Sequence, residues 1–528
     1  MKNIRIMLVG ILGLFVLCSS CNDWLQEENF TRIGSDVIYE DEAGLKVALG
    51  GLYNLQRTYE RVSDANGTTQ NNLWVYCADD LGSTRTFNDA QIYKANMNAI
   101  NFPRGKWPAG YQLIDRASAV ISNARNVSFA VAANKNTLIA EAKVMRAMTY
   151  FKLWQLYDNI LIDTIPTTAE NAFDPTVFEP ATKEAVLGLI KFDLDYAIAN
   201  LPYLAKAGQV NQGLARHLRA QVAAWENDWS TAAAQCEEII TNGGYQLQAI
   251  ENVFGANVNH KEAIYTTQLD QILGGNDALS GGSNTVIGAV FQCRYYEMPG
   301  SHVIEDNIYG GNSFGWTTPN NYLKSLMSWD PVTGLSPDKR FSNYFYPDTI
   351  IGNKPGSPYF GKKLPKSSYP DNFRQYHWSV MKYRDFVKAP GTAASFKDIM
   401  VVRYAETLLL AAEANWELSG RDNANAKALG YINQVRFRAF GDHAYDLTSI
   451  DQNAVLDEHA RELAFEGGRW FLLKRMGVLI ERVNLYKKFG SAKTNEVGIM
   501  MQPHMVRWPI SQDQIDLMGG TFPQNPGY

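Results

Sequence analysis

Apolar residues recur at three- and four-residue steps through the first half of the chain and again towards its end, and that period predicts helices. From Glu141 to Tyr157 the stripe is Ala142, Met145, Met148, Tyr150, Leu153, Leu156 and Tyr157. Thr182 is placed to cap a helix whose apolar face is Val186, Leu189, Ile190, Leu194, Ala197, Ile198 and Leu201, and Pro202 ends it. Leu214 to Glu226 and Ser230 to Thr241 form a helical pair around a turn at Asn227-Asp228-Trp229, with a stop at Gly243-Gly244. Helix returns from Ile399 to Leu418, from Ala424 to Arg438 and from Ala454 to Met476. Trp107 and Tyr111 fall at i and i+4 of one more predicted helix and read as packing residues.

Alanines line the facing sides of the helical pair: Ala215, Ala220, Ala223 and Ala224 on one, Ala232, Ala233 and Ala234 on the other. Such small residues let two helices approach closely, and repeated helix–turn–helix units of this kind suggest tetratricopeptide-like packing. No 34-residue repeat accompanies it, so the expectation rests on pattern and not on period. The stretch from about Tyr245 to Lys397 is different, rich in Gly, Asn, Pro, Tyr and Trp. Long structured loops of that composition carry binding residues more often than core. The expected fold is mainly α. A tetratricopeptide-like α-superhelix, about 40–245 and 399–478, supports a loop-rich ligand-binding part, about 246–398. Helices on both sides of the loops make residues 21–528 one composite domain.

The N-terminus has a separate logic. Lys2 and Arg5 precede an apolar run from Ile6 to Cys18, too short to span a bilayer, then Ser19-Ser20-Cys21. This reads as a lipoprotein signal peptide over residues 1–20, with Cys21 as the lipid attachment site. Acyl chains on Cys21 would hold the protein to membrane lipid without a spanning helix.

The net charge of −5 argues against nucleic acid as a partner. Beyond the signal, Cys77, Cys236 and Cys293 are an odd set without metal-type spacing, and no H-E-x-x-H occurs. No metal or cofactor is expected. Gly311-Asn312-Ser313-Phe314-Gly315 matches the G-x-S-x-G form, but the elbow needs a strand before it and a helix after it, and loop residues flank it here. Gly356 to Lys363 lacks the hydroxyl residue and the flexible interior of a phosphate loop. Arg403 with Glu406, and Glu458, Arg461, Glu462, Glu466 and Arg469, sit among apolar residues. They read as an ion-pair network that sets helix register and not as an acid–base pair.

What remains for function is aromatic. With 27 Tyr and 12 Trp the chain has more rings than a core requires. Trp74, Tyr76, Tyr296 and Trp316 lie in loop-like sequence near polar Asp79 and Arg85. Flat rings stack on the C–H faces of sugars, and neighbouring polar groups meet the hydroxyls.

Several segments in order resemble the SusD/RagB family of Bacteroidetes outer-membrane lipoproteins. Cys21-Asn22-Asp23-Trp24-Leu25 looks like the family's mature start, and Glu141-Ala142 with Arg146-Ala147 and Tyr150-Phe151 like its early helix. Val402-Arg403-Tyr404-Ala405-Glu406 through Glu413 and Glu462-Leu463-Ala464-Phe465-Glu466-Gly467 with Arg469-Trp470 are similar to its two late helices. Trp508-Pro509-Ile510 and Gln524-Asn525-Pro526-Gly527-Tyr528 match its ending. His459 and Leu472 depart from it, standing where Arg and Asp are common. The resemblance implies a SusD-like fold and a non-catalytic role. Such a protein captures an oligosaccharide, or for some members a peptide, and delivers it to a SusC-type TonB-dependent transporter in the outer membrane, with Cys21 lipidated on the outer face. By position, Asp79, Arg85, Tyr296 and Trp316 fall in loops that contribute to the family's ligand sites.

Overall fold

The computed structural model describes residues 38–60, 77–84, 89–94, 105–270 and 285–528, apart from 173, 175, 176, 331, 346–348 and 389. The signal peptide, Cys21, Trp74, Tyr76 and Arg85 lie outside the described residues.

Six long helices come first: α1 (Glu42–Glu60), α2 (Lys106–Asn126), α3 (Ala132–Tyr157), α4 (Lys183–Asn200), α5 (Gln212–Trp225) and α6 (Trp229–Asn242). Each packs on the next. Side-chain caps start three of them, Thr182 among them as expected. The Thr182 hydroxyl accepts from the Ala185 amide at 3.2 Å, Asn211 from Leu214 at 2.9 Å and Asp228 from Thr231 at 3.0 Å. Ala215, Ala220, Ala223, Ala224 and Ala232 are buried between α5 and α6, whereas Ala234 faces solvent. Trp107 is buried in α2 with its ring 5.1 Å from that of Tyr111, a packing pair as expected.

After the loop-rich stretch, which includes the one-turn helix α7 (Ile287–Phe291), the chain returns to the stack. Helix α8 (Tyr404–Leu418) packs on α6, and both α9 (Ala426–Phe440) and α10 (Gln452–Leu463) pack on α8. Early and late helices therefore share one pile, and one apolar core runs through it from Leu45 to Phe522. The fold is mainly α, with tetratricopeptide-like helical pairs.

Two expected helices are shorter than their apolar pattern. Ile399–Arg403 is a strand, β4, which pairs antiparallel with β2 (Ala263–Thr267). Its residues Ile399, Met400, Val401 and Val402 are as suited to a strand as to a helix, and the partner 130-odd positions upstream decides the matter. The helix expected from Ala454 to Met476 divides into α10 and α11 (Arg469–Arg475). Between them Phe465 takes φ 66° and Gly467 φ 94°. Phe465 is held in that conformation by its neighbours: its ring centroid lies 5.0 Å from that of Phe291, and its carbonyl accepts from the Tyr383 hydroxyl at 2.9 Å.

The charged helical residues form the expected network, with different partners. Arg403 binds Glu262 at 2.8 Å, Glu462 at 2.6 Å and Glu466 at 2.7 Å. Arg340, fully buried, binds Asp338 at 2.8 Å, Glu458 at 2.7 Å and Glu462 at 3.0 Å. Glu406 turns away and accepts from Gln221 at 3.0 Å. Burial alone would raise the Glu462 pKa; Arg438, Arg403 and Arg340 hold it well below the usual carboxylate range. The network ties β2 and β4 to α10 and so fixes the loop-rich part on the helices.

Candidate ligand-binding platform

A small sheet brings the Asp79 stretch beside the loop that holds Trp316. Strand β1 (Leu81–Ser83) pairs antiparallel with β3 (Thr317–Pro319), Ser83 facing Thr317. The ladder continues one step, because the Thr84 amide donates to the Trp316 carbonyl at 2.8 Å. On the other side β1 meets β5 (Lys488–Phe489), which pairs with β6 (Val497–Gly498). The stretch from Asp79 to Thr84 and the stretch holding Trp316 therefore meet in one ladder.

Asp79 anchors this junction. Its carboxylate is fully buried and accepts from Arg469 at 2.7 and 3.0 Å and from Arg482 at 2.6 Å. Burial would raise its pKa, but the two guanidinium groups keep it below the usual value. Both oxygens are engaged inside the protein, which fastens β1 to α11 and to the helix Leu479–Tyr486.

The loop from Ser313 to Trp316 is sewn to α7. Phe314 donates its amide to the Ala289 carbonyl at 2.7 Å and Trp316 to that of Val290 at 3.0 Å. Trp316 is buried, 4 % exposed, and Phe314 stacks on it at 4.7 Å and 23°. Phe314 is half-buried, so it is the member of the pair that reaches the surface. Tyr296 lies beside it, also half-buried; its hydroxyl donates to the Ser313 carbonyl at 3.2 Å and accepts from the Ser313 amide at 3.3 Å.

Polar groups frame these rings. Arg294 pairs with Glu297 at 2.6 Å and sits 5.7 Å from the Tyr296 ring centre. Arg374 donates to the Phe314 carbonyl at 3.2 Å, and Gln375 to the Glu297 carbonyl at 3.2 Å. Sequence reading selected Tyr296 and Trp316 but not Phe314, Arg294 or Gln375. Phe314 had a signal of its own: it stands two residues before Trp316 in a loop bounded by glycines.

The arrangement suits stacking and hydrogen bonding. Ser313 is no exposed nucleophile, since it is buried and its hydroxyl donates to the Cys293 carbonyl at 2.7 Å. A strand follows it where the elbow requires a helix. Among the described residues no group of His, Cys, Asp and Glu could hold a metal ion.

The fold and this platform define a class: a helical-repeat scaffold that presents a loop-built, ring-lined surface. The family model for the SusD family matches residues 335–528. The chain is 25 % identical over its whole length to the SusD-like protein P2 of Formosa agariphila, all of which is covered. It is also 25 % identical to a SusD-like protein of Bacteroides ovatus, over 89 % of this chain and 82 % of that one. Among solved structures, a laminarin binding SusD-like protein superposes with a TM-score of 0.71 at 21 % identity, covering 93 % of this chain and 100 % of that one. Surface glycan-binding protein A from Bacteroides thetaiotaomicron, solved in complex with laminarihexaose, gives 0.70 at 19 %, covering 92 % and 99 %. The chain is thus similar to SusD-family proteins in sequence over residues 335–528 and in fold over most of its length.

Proposed function

We propose that this chain is an outer-membrane surface lipoprotein, lipidated at Cys21, that binds an oligosaccharide and delivers it uncleaved to a SusC-type TonB-dependent transporter. The observation that carries the binding step is the half-exposed Phe314 stacked on buried Trp316 beside Tyr296. Rings held in place before the ligand arrives lose little entropy on binding, and the surrounding amide, carboxylate and guanidinium groups match hydroxyls. The family's glycan-binding members, two of them named for laminarin or crystallised with laminarihexaose, support a glycan as ligand. Asp79 acts as the support of this surface, with Trp316 as its floor; Trp74, Tyr76 and Arg85, outside the described residues, are further ligand-binding candidates from the sequence alone.

The test is a glycan array and a peptide panel with the purified protein, beside a Tyr296→Ala/Phe314→Ala variant. Binding to glycans, lost in the variant at unchanged melting temperature, is expected. Peptide binding without glycan binding would overturn the ligand class, and glycan binding untouched in the variant would overturn the site. Metabolic labelling with a fatty acid, compared between wild type and Cys21→Ala, checks the anchor. Co-purification with a channel protein from the outer membrane checks the partner.

A further inference from the structure

A cavity of about 180 Å³ lies inside the helical stack. It is walled by α3, α5, α8, α10, α11, β4 and the bend at 465–468, and it shares no residue with the ring platform. Most of the wall is apolar, from residues such as Phe151, Leu218, Trp225, Leu410, Phe471 and Leu472.

The charged residues on the wall are already paired, with one exception. Glu60 meets Lys152 at 3.2 Å, Glu413 meets Arg475 at 2.6 Å and Glu466 meets Arg403 at 2.7 Å. Glu406 has no lysine or arginine partner among the described residues, and its side chain is 21 % exposed. Its Oε1 accepts from the Gln221 amide at 3.0 Å. The same amide lies 3.1 Å from His217 Nε2, so that nitrogen accepts as well and His217 is no counter-ion.

His459 faces Glu406 across the space. Its Nδ1 is closed off from solvent and has no hydrogen-bond partner among the described residues. A buried N–H without an acceptor is costlier than a bare ring nitrogen, so the proton belongs on Nε2. Burial, and then the charges of Arg469 and Arg475, hold the ring well below the usual histidine pKa and keep it neutral. His459 Nε2 and Glu406 Oε1 each lie 4.0 Å from the point where Gly468 would carry a Cβ. One donor and one acceptor thus converge on one spot. Gly468 has an ordinary helical φ of −78°, and nothing comes nearer to that point, so neither backbone nor packing calls for the glycine. The bare backbone leaves the spot open.

A hydroxyl is the group that both accepts from an N–H and donates to a carboxylate. An ammonium would meet the His459 N–H head-on, and a carboxylate would meet Glu406. A saccharide would press several hydroxyls against apolar wall without partners. The aromatic lining suits a ring, and a phenolic hydroxyl donates more strongly to a charged acceptor than an aliphatic one. A cavity of about 150 Å³ admits benzene, so this one takes a single ring with a substituent or two.

We propose that this cavity binds a small phenol, whose hydroxyl accepts from His459 Nε2 and donates to Glu406 over Gly468 while its ring lies on the apolar wall. The proposal is independent of the glycan reading.

Titration calorimetry of the purified protein with p-cresol, toluene and benzylamine tests it. p-Cresol should bind, and bind more tightly than toluene, which lacks the hydroxyl, or benzylamine, which carries a cation in its place. His459→Phe removes both ring nitrogens, the unpartnered one included, at nearly the same size. Its melting temperature should not fall, while p-cresol affinity drops about five-fold. Gly468→Ala sets a methyl group at the shared spot and should weaken p-cresol several-fold, again without loss of stability. The Tyr296→Ala/Phe314→Ala protein should bind p-cresol as wild type does, which separates this cavity from the platform. Absence of p-cresol binding, as a cavity holding only water would give, overturns the proposal. So does toluene or benzylamine binding as tightly as p-cresol, p-cresol affinity unchanged in either cavity variant, or its loss in the platform variant.

Discussion

Arg403 and Glu466, 63 residues apart, meet in a two-pronged pair: Nε donates to one carboxylate oxygen at 2.7 Å and Nη2 to the other at 2.9 Å. The pair joins β4 to the bend between α10 and α11, and buried Lys382 completes it from the loop-rich part. Removing one member of a buried pair leaves the other uncompensated, which costs about 3–5 kcal/mol. Glu466→Gln should therefore lower stability by about 3 kcal/mol in urea unfolding. Glycan affinity measured well below the melting point should stay within about two-fold, because no platform residue touches Glu466. Lost affinity at unchanged stability would make Glu466 a ligand residue instead.

The stacked rings divide the labour. Trp316 is buried and Phe314 is not, so truncating each should fail differently. Trp316→Ala opens a cavity and should cost about 3–5 kcal/mol of stability, with binding lost through the collapse of the loop. Phe314→Ala should cost about 1 kcal/mol or less and still lose most of the binding. Thermal melts run beside calorimetry distinguish the two, and equal destabilisation by both variants would contradict this assignment.

Helices, caps and the early–late division of the scaffold were legible because they depend on local spacing. Thr182 caps where its position says it should. What escaped depends on distant partners. Ile399–Arg403 is a strand because Ala263–Thr267 offers it a ladder, and no helical period reports that. The division of α10 from α11 rests on Phe465 at φ 66°, an unusual state stabilised by Phe291 and Tyr383. Arg403 pairs with Glu262, Glu462 and Glu466 and not with Glu406 three residues on, because its side chain leaves the end of a strand and not the face of a helix. The candidate platform was half legible. Ring-rich loops were visible in the sequence, but which of Phe314 and Trp316 faces outward is a property of packing. His459 and Leu472, the departures from the family pattern, both line a cavity of about 180 Å³ within the scaffold.

Asp80 should make stability fall as pH rises. Burial, and then the neighbouring Asp79 charge, push its carboxyl up to about 6, and among the described residues neither oxygen has a side-chain hydrogen-bond partner. An unfolded Asp titrates near ~3.9. Between those values the folded protein holds a proton that the unfolded chain has released. The stabilising contribution is thus complete below about pH 4 and lost as pH rises through about 6. Asp80→Asn keeps the shape without the charge, and its amide oxygen can still accept from the backbone. At pH 7.5 the variant should be more stable than wild type by about 2 kcal/mol, and the gap should close towards pH 4. Denaturant melts at several pH values measure it; a variant less stable than wild type at pH 7.5 would show that the charge is compensated.

Gly315 couples the backbone to the proposed platform. It takes φ 61°, and a Cβ there would lie 2.8 Å from the Arg374 carbonyl oxygen. That oxygen cannot yield easily, since it accepts the Arg294 amide at 2.7 Å. Gly315→Ala therefore meets two penalties, the left-handed backbone at about 1–2 kcal/mol and a clash relieved by shifting Arg374. The shift pulls on Arg294, two residues from Tyr296, and on the guanidinium that holds the Phe314 carbonyl. Stability should drop by about 2 kcal/mol or more and glycan affinity by at least several-fold. Gly334→Ala is the control, for it has a similar φ of 71° with nothing within 4 Å of the added carbon. It should show the backbone penalty alone and bind glycan normally. If both variants bind alike, the geometry around Arg374 does not set the platform.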